Sequence, residues 1–200
     1  MNEENMMDKQ LNKPKKVIGD IIVVVSLLLV LALLYLATNF WLSVHVVKNV
    51  SMQTTLNDGD IVLADKFATP KHGNVIIFKY DDDTDYIKRV IATEGDTLYF
   101  EKKNGEWVVY IKYKGEALRE VLNEPYLKEG TITEYRGTSA SIVVGEDELF
   151  VMGDNREESY DSRDFGLIKK EQVKGVVHNF FIYTKGVNKL IFSNSCVLKK

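Results

Sequence analysis

Hydrophobic positions along the chain change their spacing near residue 42. Upstream, residues 21–37 read IIVVVSLLLVLALLYLA, with Ser26 the one strongly polar side chain. A helix built from this run is apolar on every side, and enclosing it in a soluble fold would need a much larger protein. Continued to Leu42, the run reaches roughly 20 residues, the length that crosses a ~30 Å hydrocarbon core. Tyr35 and Trp41 stand toward its far end, where amphipathic rings favour the membrane–water interface. A cleavable secretory leader has an apolar stretch of roughly 7–15 residues closed by a small-x-small site, and LYLATNFW contains no Ala-x-Ala. The pattern predicts an uncleaved transmembrane anchor over residues 17–42, behind a short tail of residues 1–16. Lys9, Lys13, Lys15 and Lys16 flank the run, and lysines beside a membrane span favour the cytoplasmic side. The tail is therefore expected in the cytoplasm. Residues 43–200 are expected outside, on a protein that passes the cell membrane once.

Downstream, short apolar and aromatic runs alternate with turn residues. IVLAD follows NDGD, NVIIFKY follows PKHG, and YIKRVIAT precedes EGD. TLYFEKK and EWVVYIKYK flank Asn104-Gly105, a strong hairpin signal because both residues accept positive φ. SIVVG, ELFVMG and KGVVHNFFIYT complete the set. Runs this short and this rich in Val, Ile, Tyr and Phe read as strands. Beyond the anchor, the one helical stretch predicted is short, near Lys169 to Val173. Lys114 to Tyr135 is more polar, and the pattern fixes no path for it. The fold class expected for residues 43–200 is mostly β, an antiparallel barrel or sandwich.

Composition narrows the classes of function. The chain has 200 residues, 45% hydrophobic and 28% charged, with a net charge of -3. That suits one compact domain with an appendage. No dense basic stripe is present, so nucleic acid is not an expected partner. Cys196 is the single cysteine, which excludes an intramolecular disulfide. His45, His72 and His178 are far apart and no pair has metal-ligand spacing, so no metal and no cofactor is expected.

Three segments could carry chemistry. VKNVSMQTTLNDGDIVLAD, from Val47 to Asp65, places a Ser-Met pair just after the anchor. A Ser-His-Asp triad needs a histidine within reach of a serine. His45 lies beside the membrane, His72 in a turn that reads as solvated, and His178 in an apolar strand where a core or edge role is ordinary. A lysine base is the other option, provided burial lowers its pKa. Lys88 in DYIKRVIATEGD stands among Tyr86, Ile87, Val90 and Ile91. Strict alternation puts it on the face of Tyr86 and Val90, with Arg89 opposite. Strand lysines commonly snorkel to solvent, so periodicity leaves both roles open. The third segment, VMGDNREESYDSRDFG from Val151 to Gly166, reads either as a loop of Asx turns or as a rigid loop laying hydroxyls and carboxylates against a site.

In this order, the segments resemble bacterial type I signal peptidase from Val47 to Tyr183. SMQTTLNDGDIVLAD is similar to that family's nucleophile segment, IKRVIATEGD to its lysine segment, and NEPYL at residues 123–127 to an intervening motif. GDNREESYDSRDFG resembles its Gly-Asp-Asn-x-x-x-Ser-x-Asp-Ser-Arg signature. The resemblance implies a membrane-bound serine endopeptidase that removes signal peptides from exported preproteins. It makes Ser51 the nucleophile and Lys88 the general base. Ser159 would hydrogen-bond the lysine amine, while Asp161 and Arg163 stabilise the loop entered by the turn Gly153, Asp154 and Asn155. Ser51 becomes a candidate oxyanion donor and Met52 a substrate contact; the Asn49 amide could donate to the same oxygen or shape the turn through an Asx hydrogen bond. Preprotein signal peptides and membrane lipid are the implied partners, with the secretion translocon a further one. A single anchor is of the Gram-positive type. Thr54, where the family has proline, and Asn49, where it has glycine or serine, depart from the pattern, as do Ala92 and Thr93.

Three other readings stay open at this stage. A self-cleaving SOS-type repressor uses Ser and Lys on a related fold, but the anchor and the acidic balance oppose it. A specialised paralogue could process pilins or other surface proteins. A membrane-anchored binding or assembly module could share the fold without turnover.

Overall fold

The computed structural model describes residues 3–82, 84–139, 141–183 and 190–191. The chain divides into two units, residues 1–41 and 42–200. The first is one helix, α1, Glu3–Trp41. Its segment Val17–Trp41 is 25 residues long, about 38 Å at 1.5 Å per residue, and every residue in it is exposed. The helix is long and apolar enough to cross a membrane. The tail is helical from Glu3, and the helix gives way to a strand at Leu42.

The second unit is the mostly antiparallel β fold that the sequence predicts. Its strands are β1 (Leu42–Val46), β2 (Ile61–Asp65), β3 (Val75–Lys79), β4 (Asp85–Thr93), β5 (Thr97–Lys103), β6 (Glu106–Lys112) and β7 (Glu120–Val121). They continue with β8 (Ser141–Val143), β9 (Glu148–Met152), β10 (Ile168–Lys169), β11 (Val173–Tyr183) and β12 (Leu190–Ile191). One sheet runs β1-β2-β11-β3-β4-β9-β10, with β12 paired to β11. The other runs β7-β6-β5-β8. The Asn104-Gly105 hairpin forms as predicted, with φ of 52° and 89° and Lys103 opposite Glu106. A helical turn occurs at Lys170–Gln172, inside the predicted span. The sequence pattern missed β1, whose LSVHV was read as the membrane flank, the two-residue strands β7, β10 and β12, and two short helices, one turn at Arg156–Glu158 and α2 at Ser162–Phe165. Within residues 114–135 the chain is mostly irregular apart from β7.

The strands meet in apolar clusters that position the site. Val47, Met52, Leu56, Val62, Ala64, Val75, Ile77 and Val177 form one, with Ile87 against it. This cluster seats the Ser51 segment on the large sheet, because Met52 and Leu56 are its anchors and both are fully buried. Ile76, Phe78, Val90, Leu149, Val151, Ile168 and Val176 fill the space around β3, β4 and β9. Ile91, Leu98, Phe100, Ile111, Phe150 and Met152 join the two sheets.

Candidate active site

Ser51 begins a tight turn. The Thr55 and Leu56 N–H groups both donate to the Met52 carbonyl, at 3.0 and 2.9 Å. The turn is fixed from outside by the loop after β9: the Asn155 N–H donates to the Ser51 carbonyl at 3.0 Å, and the Asn155 amide donates to the Val50 carbonyl at 3.2 Å. Ser51 is buried, as is Lys88 at 4% exposure. Lys88 Nζ lies 2.7 Å from Ser51 Oγ and 5.1 Å from the Tyr86 ring centroid, on the strand face that alternation predicts. Burial pulls the Lys88 pKa down from 10.5 to about 8, against the opposing pull of the Asp161 and Asp154 carboxylates.

The loop from Gly153 to Phe165 is held by buried ion pairs. Arg163 reaches both carboxylate oxygens of Asp161 at 2.9 Å, and Asp161 accepts the Gly153 N–H at 3.0 Å. Burial raises the Asp161 pKa, but Arg163 and the Gly153 N–H outweigh it and hold the group below the usual carboxylate range. Asp161 also caps α2 through the Arg163 N–H. Asp154 receives Arg89 through two guanidinium nitrogens at 2.8 and 2.6 Å and the Thr55 hydroxyl at 2.5 Å. Gly153 is demanded by space: a Cβ there would lie 2.3 Å from Ser159 Oγ and 2.4 Å from the Ser51 carbonyl oxygen.

The structure thus brings together Ser51, Lys88, Gly153, Asp154, Asn155, Ser159, Asp161 and Arg163. Ser159 does not hydrogen-bond the lysine. Among the described residues its buried Oγ meets no hydrogen-bonding geometry, although it lies close enough to Asp161 to favour that carboxylate's charge. Met52 faces the apolar core at 0% exposure and does not line the groove, so its contribution is to seat the turn. Asn49 lines the groove with φ of +93°. Its Oδ1 accepts the Val50 N–H at 2.7 Å, and its own N–H donates to Asp58 at 2.9 Å. The histidines take other places. His72 was expected to be solvated, but its Nε2 lies 2.6 Å from the buried Asp96 carboxylate. His45 lines the groove, with its Nε2 2.9 Å from Ser43 Oγ. The His178 side chain and Cys196 lie outside the described residues.

An open groove of about 590 Å³ runs past Ser51 and Lys88. Val47, Val62, Ile77 and Ile87 provide its aliphatic lining. Sequence reasoning missed Arg89, Thr55 and Glu124. Arg89, fully buried on β4, ties the Ser51 turn to the loop through Thr55 and Asp154. Glu124 pairs with Arg156, whose Nε donates to the Gly153 carbonyl at 3.0 Å. The available signal was chemical: fully buried arginines need fixed carboxylates, and NEPYL and GDNREE supply them.

A serine hydroxyl against a desolvated lysine, beside an open groove, is a constellation suited to hydrolysis with an amine as general base. Comparison with known proteins agrees with that class. The family model for signal peptidase, peptidase S26, matches residues 20–182. The chain is 32% identical to signal peptidase I P of Bacillus subtilis subsp. natto, over 86% of this chain and 92% of that one. It is 33% identical to signal peptidase IB of Staphylococcus aureus, over 77% and 85% of the two chains. A solved signal peptidase I from Enterococcus faecalis is 26% identical and covers 56% of this chain and 98% of its own, with a TM-score of 0.42. The chain belongs to the signal peptidase family and is a peptidase.

Proposed function

We propose that the chain is a membrane-anchored endopeptidase that cleaves signal peptides from exported preproteins, with Ser51 as nucleophile and Lys88 as general base. The observation that carries this reading is the 2.7 Å contact between Lys88 Nζ and Ser51 Oγ in a site that desolvates the lysine. In the reactive form Lys88 is neutral and accepts the Ser51 proton as Oγ attacks the scissile carbonyl. The Ser51 N–H makes no hydrogen bond among the described residues, so it is available to the developing oxyanion. Protonated Lys88 then hands its proton to the leaving amine. A water deprotonated by the same lysine releases the acyl chain and regenerates the enzyme. The aliphatic lining of the groove suits small apolar side chains beside the bond.

The remaining parts of the reading follow from the anchor. Lipid surrounds Val17–Trp41, the tail faces the cytoplasm, and residues 42–200 work on the outer face, where exported chains leave the secretion translocon. Processing of a purified preprotein by the detergent-solubilised protein tests the activity. Ser51→Ala and Lys88→Ala should each abolish it while leaving thermal unfolding cooperative. Lys88→Arg should fail as well, since a guanidinium stays protonated. Tight binding of the preprotein with no product from the unaltered chain would instead favour an anchored binding module.

A further inference from the structure

We propose that Glu158 and Tyr160 form a cation-selective subsite of the groove, which takes a lysine or arginine side chain of the polypeptide substrate. The proposal rests on the reading of this groove as the substrate site. Two of the acidic residues lining the groove are already held: Asp85 by Lys174 at 2.7 Å and Asp82 by Lys79 at 2.7 Å. Glu158 lines the same groove, is exposed, and has neither an ion pair nor a side-chain hydrogen bond among the described residues.

Tyr160 stands beside it and is 50% exposed. Its hydroxyl accepts a hydrogen bond from Tyr80 at 3.2 Å. Its ring meets Tyr80 edge-on at 5.9 Å and Phe165 at 5.4 Å. The ring is therefore braced without being covered. Between the two, Ser159 is extended, with φ of -114° and ψ of 125°, and it is 2% exposed. Neighbours of an extended residue project away from it. With Ser159 turned inward beside Gly153 and the Ser51 carbonyl, Glu158 and Tyr160 are turned outward together. The Arg136 guanidinium fixes the backbone here, donating to the Ser159 and Glu157 carbonyls.

A free carboxylate next to a braced aromatic ring offers a cation both an ion pair and a quadrupole. It repels a carboxylate and gives an aliphatic side chain nothing that the Val47 and Ile87 wall does not already provide. A basic residue on the substrate is the chemistry that uses both groups.

The test uses the full chain in detergent micelles, carrying Ser51→Ala so that binding is read without turnover. The ligands are fluorescent peptides spanning a signal-peptide cleavage region, with Lys, Gln or Glu placed at one position at a time. At one position the Lys peptide should bind roughly 3–10-fold tighter than the Gln peptide, with the Glu peptide weaker than both. That Lys-to-Gln ratio should fall with Glu158→Gln, and with Glu158→Lys the order should invert so that the Glu peptide binds more tightly than the Lys peptide. Tyr160→Leu should reduce the ratio, and Tyr160→Phe should keep most of it. A Lys-to-Gln ratio of one at every position overturns the proposal, as does a preference that survives Glu158→Lys. In both cases the groove still binds peptide and the substrate-site reading stands. Absence of any peptide binding overturns both together.

Discussion

Burial lowers Lys88 from 10.5 to about 8, so at pH 7 most molecules hold a protonated lysine in an apolar site. The unfolded chain binds this proton more tightly than the folded one. The stability penalty is therefore complete below pH 8 and fades as pH rises toward 10.5. A shift of that size corresponds to about 3 kcal/mol. Lys88→Met should be inactive yet more stable than the parent in urea unfolding at pH 7, and the gap should narrow between pH 8 and 10.5. With Lys88 as the proposed base, activity should follow the same titration, because only the neutral amine accepts a proton. The logarithm of kcat/KM should climb up to about pH 8 and level off above it, and a profile still climbing at pH 10 would contradict a desolvated base. Asn49 separates two roles in the same way. Its side chain accepts from Val50 N–H and its φ is +93°, which points to turn geometry rather than oxyanion binding. Asn49→Gly should keep kcat, since glycine adopts this φ without strain. Asn49→Ala should lose about 1 kcal/mol of stability. A fall in kcat of roughly 10²–10³ in both variants, with midpoints unchanged, would return the amide to the oxyanion site.

Strand β4 and the loop after β9 act as one element, joined by Arg89 and Asp154, both fully buried. Breaking such a pair from one side leaves an uncompensated charge. Asp154→Ala should cost roughly 3–5 kcal/mol, and Arg89→Met combined with Asp154→Leu should cost clearly less; equal losses would mean that the pair itself supplies the stability. Gly153→Ala should lower kcat more than it changes KM, because the added Cβ pushes on the Ser51 carbonyl, a group that would position the proposed nucleophile without touching distant parts of the substrate. The elements themselves were largely legible beforehand: the Asn104-Gly105 turn and the Val- and Ile-rich runs carry their own local preference. β1 was hidden because LSVHV follows the anchor without a break in hydrophobicity. The α2 helix was hidden because four residues show no period, and its cap, Asp161, also belongs to the site. Lys88 could be named from its motif, but its burial could not, since that depends on the nucleophile turn folding over it. Alternation placed Arg89 on the face opposite Lys88, but neither its burial nor its role as a clamp was legible, because its partner is far away in sequence, at Asp154.

The molecule has a helix long and apolar enough to cross a membrane and a β domain that carries the proposed Ser51–Lys88 pair, so the proposed function depends on which side of the membrane that domain occupies. Val17–Trp41 is about 38 Å long, enough to cross a ~30 Å core with some tilt. Lysines lie before it, and the excess of positive charge on one flank sets orientation. The carboxylates beyond the anchor do not bear on this, because Asp and Glu contribute little to the choice. Two cysteine variants test the arrangement, each in a Cys196→Ser background so that the introduced thiol is the sole one. Lys9→Cys reports on the tail, and Glu129→Cys reports on an exposed loop of the β domain. A membrane-impermeant maleimide applied to intact protoplasts should label Glu129→Cys at once and Lys9→Cys only after lysis. The reverse pattern would place Ser51 and Lys88 in the cytoplasm, where a preprotein crossing the membrane presents no cleavage site to them, and it would overturn the assigned topology. Labelling of both thiols before lysis would mean that the protoplasts had leaked, which an impermeant-label control on a cytoplasmic protein detects in the same experiment.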